Sequence, residues 1–382
     1  MRTLFASLSV LTLVACSASE GVSAQSAEAE SGVAAEIFTV EEMGSFAEPW
    51  AMTFLPNGIA LITEKEGTMR FVDFGPDAPR IGSISGVPEV DYGGQGGLGD
   101  VVPHPDFAEN GMIYFSYAEA GEDDTRGAVV ARARLVMDEA DAGQLEDVET
   151  IWRQLPKTGR RGHYSHRIVF GPDGYLYIAS GDRQELEPAQ DTTNNLGTIV
   201  RLNHDGSVPE DNPFADQGGM TAEIWSYGHR NPLGLAFAPD GQLWDVEHGP
   251  AGGDELNLVE RGVNYGWPTV SDGEHYDGRP IPDNDTETGF GVPAIVWTPV
   301  IAPGGMIFYT GDMFADWQGD ALIAGLSTNA LIHVEFDGDS ASEVARYDFG
   351  NRVREVEQGP DGAIWVLEDG EDGRLLRLTP GS

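Results

Sequence analysis

The chain has 382 residues, with 22 lysines and arginines against 63 aspartates and glutamates, so its formal net charge is −41. This charge argues against binding to a phosphate backbone, which requires a basic surface, and against electrostatic attachment to anionic lipid. Hydrophobic residues make up 40% of the chain, which is enough for a folded core. The 50 glycines show no Gly-X-Y period, so they exclude collagen and indicate many tight turns between short strands.

The N-terminal segment predicts export and a lipid anchor. An apolar run over residues 4–15 matches a secretory signal and is too short to span a bilayer as a mature helix. The letters LVAC that end at Cys16 resemble a bacterial lipobox, which implies cleavage before Cys16 and lipid on its thiol. The alternative is an ordinary signal peptide with an incidental cysteine. We expect a signal peptide over 1–15, a lipidated Cys16 with a flexible tether over 16–35, and a periplasmic or outer-membrane location.

One degenerate unit recurs six times from residue 36 onward: an apolar pair, a turn that ends in glycine, and a strand, as in VFGPDGYLYIASGD. Asn-Gly and Asp-Gly turns supply the positive φ angles of tight hairpins. The spacing of 43 to 78 residues predicts an all-β fold, a six-bladed β-propeller over 36–382, and fits a sandwich or a parallel β-helix poorly. The turn glycines are Gly58, Gly111, Gly174, Gly241, Gly319 and Gly362.

Two further expectations concern how the propeller is completed. Long insertions at 183–223 and 250–300 are predicted to form loops that gather on one face and build the functional site. Residues 36–42 are predicted to pair with the last blade and close the ring.

A candidate base and its partner lie before one strand and after the next. His163 can act as a general base near neutral pH, and Asp182, at the end of the strand LYIAS, can fix its tautomer. The alternatives for His163 are a surface histidine or, with His166 three residues later, a zinc ligand, although no third ligand is evident.

Three other segments predict an anion-binding surface. Gln95 lies among glycines that let the backbone approach a flat or charged group. The adjacent Arg230 and Asn231 offer a forked cation and an amide, which suit the carboxylates of a planar ligand. Arg352 and Arg354 share one face of a strand. The structural alternatives are a glycine-rich turn, a capping element and a surface ladder, respectively.

The stretch 247–268 carries oxygen donors of the kind that calcium prefers. Gly249 and Pro250 offer main-chain carbonyls, and the carboxylate of Glu255 follows shortly after them. The ligand frame of an EF-hand is absent, so any calcium site here is of another type.

Taken in order, these segments resemble the soluble aldose sugar dehydrogenases that depend on pyrroloquinoline quinone (PQQ), the glucose/sorbosone dehydrogenase family, over about residues 36–380. The motifs that carry the resemblance are EPWAMTFLPNG, GGQGGLGDVVPHPDF, GHYSHRIVFGPDGYLYIASGD, LGTIVRLNHDGSVPEDNPF, SYGHRNPLGL, HGPAGGDELNLVERGVNYGWP and RVRE. The resemblance implies a six-bladed propeller that oxidises an aldose at C1 to the lactone, with PQQ and Ca²⁺ as cofactors and an external electron acceptor.

The resemblance also implies a role for each candidate residue. His163 matches the catalytic base, and Asp182 matches the carboxylate that assists it. The residues that match the PQQ site are Gln95, Arg230, Asn231, Arg352 and Arg354. The residues that match calcium ligands are Gly249 and Pro250, through carbonyls at a calcium that touches PQQ, and Glu255 and Tyr265, at a second, structural calcium.

The sequence departs from the family pattern at three positions. Family members often carry a lysine where this chain has Ser327 or Thr328, so one cation near PQQ is missing. His248 replaces a glutamine, and Arg183 is unusual and is expected to add a compensating charge.

Two other interpretations stay open at this stage. One is a calcium-dependent propeller lactonase or esterase, and the other is a non-catalytic surface lipoprotein that binds glycans. The sequence does not identify the sugar, the electron acceptor or the oligomeric state.

Overall fold

The structure is a computed structural model that describes residues 30–381 except 76–77, 138–141, 286, 288 and 339. The predicted signal peptide, Cys16 and the predicted tether up to residue 29 lie outside these residues. Among the described residues there are 25 strands, and no helix is both long and apolar enough to cross a membrane.

Of these strands, 24 form six groups of four, which are the blades of a propeller, and β1 (Glu30–Val33) is a fifth strand at the edge of blade 5. The elements before blade 1 are β1, α1 (Ala34–Ile37) and β2 (Phe38–Phe46). Blade 1 contains β3 (Pro49–Phe54), β4 (Ala60–Glu64), β5 (Thr68–Phe74) and β6 (Pro79–Ser85). Blade 2 contains β7 (Leu98–Pro103), β8 (Met112–Ala120), β9 (Arg126–Met137) and β10 (Ala142–Arg153), with α2 (Phe107–Asn110) between β7 and β8.

The other four blades follow the same strand order. Blade 3 contains β11 (Ser165–Phe170), β12 (Leu176–Ser180), β13 (Thr198–Leu202) and β14 (Ile224–Tyr227). Blade 4 contains β15 (Pro232–Phe237), β16 (Leu243–Glu247), β17 (Asp254–Leu258) and β18 (Ile295–Trp297). Blade 5 contains β19 (Pro303–Phe308), β20 (Ala321–Gly325), β21 (Ala330–Asp337) and β22 (Ser340–Asp348). Blade 6 contains β23 (Val353–Gln358), β24 (Ile364–Glu368) and β25 (Gly373–Pro380), completed by β2.

Short 3₁₀ helices lie in the connections between strands. Their bounds are Glu122–Asp124, Glu187–Gln190, Ala215–Gln217, Gly219–Glu223 and Ala315–Trp317.

The repeat found in the sequence corresponds to the first hairpin of every blade. Each of the six turn glycines connects the first strand of a blade to the second, and their φ angles lie between 65° and 95°. Side chains with a Cβ rarely adopt this region, so glycine is required for the turn. The prediction of a six-bladed propeller is confirmed.

The ring is closed by strands from the two ends of the chain. β2 pairs antiparallel with β25, from Phe38 opposite Pro380 to Phe46 opposite Gly373. The predicted closure by residues 36–42 is therefore confirmed, with the strand beginning at Phe38. Two pairings add to the propeller pattern: β6 pairs parallel with β10 and joins blades 1 and 2, and β1 pairs parallel with β22.

The hydrophobic core is divided among the blade interfaces. A separate cluster of buried apolar side chains lies between each pair of neighbouring blades, including blades 6 and 1. The first strands of neighbouring blades pack against one another around the central axis. Because all blades have the same strand order, the amino-terminal ends of these strands converge at one end of the propeller.

Candidate active site

The predicted site residues lie where the first strands begin. Gln95 precedes β7, His163 precedes β11, Arg230 and Asn231 directly precede β15, and Arg352 directly precedes β23. Residues from four blades, far apart in the sequence, therefore meet at the same end of the propeller.

A first cavity of about 300 Å³ lies among these strand ends. Four of the predicted PQQ residues line it, namely Gln95, Asn231, Arg352 and Arg354. Asp369 holds both arginines, since Arg352 Nε donates to its Oδ2 at 2.8 Å and Arg354 Nη2 to its Oδ1 at 3.0 Å. Two guanidinium groups share one carboxylate, so this wall keeps a net positive charge.

A second cavity, also of about 300 Å³, is lined by His163 and Arg230. Leu186 from the first long insertion and Tyr276 from the second line the same cavity, so both insertions help to build the site as predicted. Consecutive residues line the two cavities, since Arg230 lines the second and Asn231 the first.

His163 makes the contact with Asp182 that the sequence predicts. Nδ1 of His163 lies 2.7 Å from Oδ1 of Asp182, a residue that is fully buried. The indole Nε1 of Trp267 donates to Oδ2 of the same carboxylate at 2.7 Å, and the main-chain N–H of Gln184 donates to Oδ1 at 2.7 Å. This arrangement keeps the proton of the neutral imidazole on Nδ1 and leaves Nε2 as the basic nitrogen.

The electrostatic surroundings keep this imidazole neutral. Burial lowers the pKa of His163 below its usual 6.5, the nearby charges of Arg230 and Arg183 act in the same direction, and the Asp182 hydrogen bond opposes them. Burial alone would raise the pKa of Asp182, but its contact with His163 and the Gln184 N–H lower it overall. An ionised carboxylate beside a neutral imidazole is the state that a general base requires.

The backbone around the base is held in an uncommon conformation. His163, Ser165 and His166 have φ angles of 51°, 56° and 51° although none is a glycine. Such strain persists only where the surrounding structure enforces it, and it concentrates at functional sites. His166 turns away from His163: its ring stacks on Trp50 with centroids 4.9 Å apart, and its Nδ1 lies 2.7 Å from Ser116 Oγ.

The predicted calcium ligands fall into two places. Gly249, Glu255 and Tyr265 line a small cavity of about 10 Å³, whereas Pro250 lines the second cavity. Burial and the nearby carboxylates of Glu247 and Asp272 raise the pKa of Glu255 far above its ordinary value. Buried like charges oppose ionisation unless a cation lies between them, so this donor set fits a divalent ion.

The hydroxyl of Tyr265 already makes two hydrogen bonds with the main chain. It donates to the main-chain carbonyl of Leu258 and accepts from the N–H of Glu260 at 2.9 Å. A metal-binding role for Tyr265 therefore requires its main-chain carbonyl.

A second set of possible metal ligands, which the sequence did not suggest, lies beside this cavity. Nδ1 of His229 lies 3.1 Å from Asp245 Oδ2 and 3.2 Å from Glu247 Oε1. Among the described residues, these three side chains form the one group of histidines and acids whose ligand atoms all lie close together. Glu247 also accepts from the N–H groups of Arg230 and Asn231, at 2.6 and 3.1 Å, so the cluster supports the loop that carries both residues.

The expectation that Arg183 adds charge to the cofactor site is wrong. Arg183 is fully buried, and its guanidinium donates to the main-chain carbonyls of Gly162, Arg126 and Arg160. It also stacks on the ring of Tyr164 at 3.6 Å and lines neither large cavity.

The region of the missing family lysine faces the first cavity without a cation. Leu326 lines this cavity, and Ser327 Oγ donates to the main-chain carbonyl of Val300 at 2.9 Å. His248, which replaces a glutamine, also lines the first cavity, and its Nε2 lies 2.8 Å from the carbonyl of Pro303.

Sequence reasoning missed several residues of the site, among them two tryptophans and a lysine. Trp267 orients Asp182, and Trp50 and Lys65 line the first cavity. Both tryptophans lie within the motifs that carry the family resemblance, so their place in these motifs could have indicated a role in the site. For Lys65 the signal was its rarity, because the chain contains two lysines.

Comparisons with known proteins identify the family. The sequence profile described as "Glucose / Sorbosone dehydrogenase" matches residues 46–377. The aldose sugar dehydrogenase YliI of Escherichia coli is 42% identical over 340 residues, covering 87% of this chain and 90% of that protein.

Solved structures of similar proteins have the same fold as this chain. The apo soluble aldose sugar dehydrogenase of Escherichia coli superposes with a TM-score of 0.85 at 41% identity, covering 90% of this chain and all of that one. The PQQ-bound aldose sugar dehydrogenase of Streptomyces coelicolor gives a TM-score of 0.74 at 28% identity, covering 90% of this chain and 98% of that one. The prediction from the seven motifs is confirmed: this chain belongs to the glucose/sorbosone dehydrogenase family.

Proposed function

We propose that this protein oxidises aldose sugars at C1 to lactones, with PQQ as the oxidant, Ca²⁺ as a second cofactor and an external electron acceptor. The observation that carries the proposal is a neutral His163, fixed by the buried Asp182, in a roomy cavity that is linked through consecutive lining residues to a cationic cavity. Membership of the family supports it, as does the PQQ-bound structure of the Streptomyces coelicolor relative.

The first cavity suits a planar ligand with several carboxylates. Arg352 and Arg354 present two cations to it, and Gln95 and Asn231 present amides. Arg230 lines the second cavity, and its Nε is buried without a hydrogen-bond partner. A chain of net charge −41 repels an anion unless cations concentrate locally, as they do on this wall. These five residues would hold PQQ, which when bound supplies a two-electron oxidant for the sugar.

The second cavity places a sugar beside the base. Nε2 of His163 takes the proton of the anomeric hydroxyl. The other ring proton stays on Nδ1, which donates it in a hydrogen bond to Asp182, and the charge of this carboxylate stabilises the resulting imidazolium. Trp267 fixes Asp182 and contributes its ring to the cavity wall, and the exposed ring of Tyr276 adds a second aromatic surface for the sugar. Arg230, adjacent to the base, stabilises negative charge that develops near the oxidant.

Calcium would be held by oxygen donors from the loop that follows β16, from β17 and from the loop after β17. Gly249 and Pro250 would offer carbonyls at the cofactor, and Glu255 and the carbonyl of Tyr265 would bind the structural ion. When bound, the ion supplies positive charge that offsets the carboxylates of Glu247 and Glu255.

Reconstitution tests this proposal, with dye reduction followed as the protein, PQQ and calcium are mixed with mono- and disaccharides. We expect activity that requires both cofactors, and His163→Ala should lower turnover about 100- to 10,000-fold because it removes the general base. PQQ affinity, measured by calorimetry, should stay within a few-fold of wild type in this variant. Bound PQQ without oxidation of any aldose would contradict the proposal, and lactone hydrolysis without quinone would favour the lactonase alternative.

A further inference from the structure

Lysine is the rarest cation in this protein, and one of the two lysines lies in the cofactor site. The two are Lys65, which directly follows β4, and Lys157 in the loop after β10. Lys65 lines the first cavity together with Gln95, Arg352 and Arg354.

The backbone holds Lys65 in place from two sides. Its N–H donates to the carbonyl of Glu48 at 3.0 Å, and its own carbonyl accepts from the N–H of Leu98 in blade 2 at 2.9 Å. A Cβ at Gly97 would lie 2.1 Å from that carbonyl, so a glycine is needed for blade 2 to pack this closely. The direction in which the side chain leaves β4 is therefore set by contacts of two blades.

The ammonium group of Lys65 is only loosely engaged by the protein. Nζ lies 3.5 Å from Glu48 Oε1 and 3.4 Å from the carbonyl of Gly94, both at the long limit of a hydrogen bond. Glu48 also accepts the hydroxyl of Tyr92, so its charge is shared. By contrast, Nζ of Lys157 lies 2.5 Å from Glu119 Oε2 and 2.7 Å from the carbonyl of Ala120.

We propose that Lys65 binds the anionic cofactor from blade 1 and supplies the cation that the chain lacks at Ser327. This inference rests on the proposed function. The site of the missing lysine is occupied by Leu326 and Ser327, and the expected substitute, Arg183, donates to backbone carbonyls and does not line the cavity. Lys65 brings a third cation, after Arg352 and Arg354, to the same cavity wall.

Chemical protection gives a readout that is independent of catalysis. The side chains of Lys65 and Lys157 have nearly equal exposed fractions, 15% and 17%, so each lysine serves as the reference for the other. The protein with calcium is treated briefly with acetic anhydride, with and without PQQ, and acetylation is quantified by peptide mass spectrometry. We expect PQQ to slow acetylation of Lys65 at least about 10-fold, as burial of one charged contact implies, and to leave Lys157 unchanged.

Substitution tests the same contact by affinity. Lys65→Met keeps the length of the side chain without its charge and should weaken PQQ binding, measured by calorimetry in calcium, about 10- to 100-fold. Lys65→Arg should retain most of the affinity, and Lys157→Met is the matched control that should bind as wild type.

The outcomes separate this inference from the proposed function. Wild-type protein that binds no PQQ would overturn both, whereas wild-type affinity in Lys65→Met with unprotected Lys65 would overturn the inference alone. A lower melting temperature of Lys65→Met at unchanged affinity would assign Lys65 a purely structural role, as the partner of Glu48, and would equally overturn it.

Discussion

At the residue scale, Asp182 accepts three hydrogen bonds, and the amide of an asparagine in its place cannot accept all three. His163 and the Gln184 N–H share Oδ1, and Trp267 uses Oδ2. In Asp182→Asn the amide nitrogen must face either Trp267 or the pair of His163 and Gln184, and in both orientations the neutral amide no longer stabilises the imidazolium. We expect turnover to fall about 100- to 10,000-fold with PQQ affinity within a few-fold of wild type. Trp267→Phe, which removes one donor and keeps an aromatic ring, should cost much less.

The dependence of kcat/KM on pH, measured for the wild-type protein and for Asp182→Asn, tests the same roles of His163 and Asp182. Because burial lowers the pKa of His163, kcat/KM of the wild type should rise with pH along an acidic limb whose midpoint lies below 6.5. Asp182 opposes that lowering, so its loss should move the limb to still lower pH. A limb that stays in place in Asp182→Asn, with turnover unchanged, would show that the base lies elsewhere.

The sequence predicted the contact of His163 with Asp182 because both residues flank neighbouring strands of one blade. It did not predict the Trp267 contact, because the indole arrives from a loop 85 residues away along the chain. Lys65 was missed for a related reason, since its position at the cavity depends on how blade 1 packs against blade 2. Local pattern encodes contacts within a blade, whereas contacts between blades depend on the closed ring.

At the scale of elements, the same distinction explains which strands could be foreseen. The six glycine turns fix their hairpins through local backbone geometry, so the blade count follows from sequence alone. The parallel pair β6–β10 joins two outer strands of different blades, and no turn between them signals it. The parallel pairing of β1 with β22 likewise arises only once blade 5 has formed.

Closure by β2 gives a prediction about stability. Phe38 is buried, and its ring packs edge-on against Phe314, Trp317 and Tyr347 at centroid distances of 5.0 to 5.8 Å. Phe38→Ala should lower the free energy of unfolding by about 3–5 kcal/mol, because it leaves a cavity beside the closing strand. Val40, which is 36% exposed on the same strand, is the matched control.

Urea unfolding, followed by tryptophan fluorescence, gives the free energy of unfolding of Phe38→Ala and of the control Val40→Ala. Val40→Ala should stay within about 0.5 kcal/mol of wild type, since it removes little buried surface. Equal and small losses in the two variants would mean that β2 adds little to the closed ring.

At the scale of the whole molecule, the distribution of charge affects both the binding of an anionic cofactor and the attachment to a membrane. The excess of acidic residues leaves the guanidinium groups of the first cavity as a local positive region in an otherwise anionic protein. The same excess repels anionic lipid, so any attachment to a membrane has to be apolar. The proposed attachment is lipid on Cys16, with the propeller in the periplasm or at the outer membrane.

Fractionation of cells that express the full chain tests this anchor. We expect the wild type to sediment with membranes, to resist a wash at about 1 M salt, which screens charge contacts, and to be released by detergent. Cys16→Ser should move the protein to the soluble fraction, because the serine offers no thiol for the lipid and a chain of net charge −41 is repelled by anionic lipid. Ser17→Ala, next to the cysteine, is the control that should stay with the membranes. A Cys16→Ser variant that still sediments and still resists salt would show that an apolar contact outside Cys16 holds the protein there, and the lipid anchor would have to be abandoned.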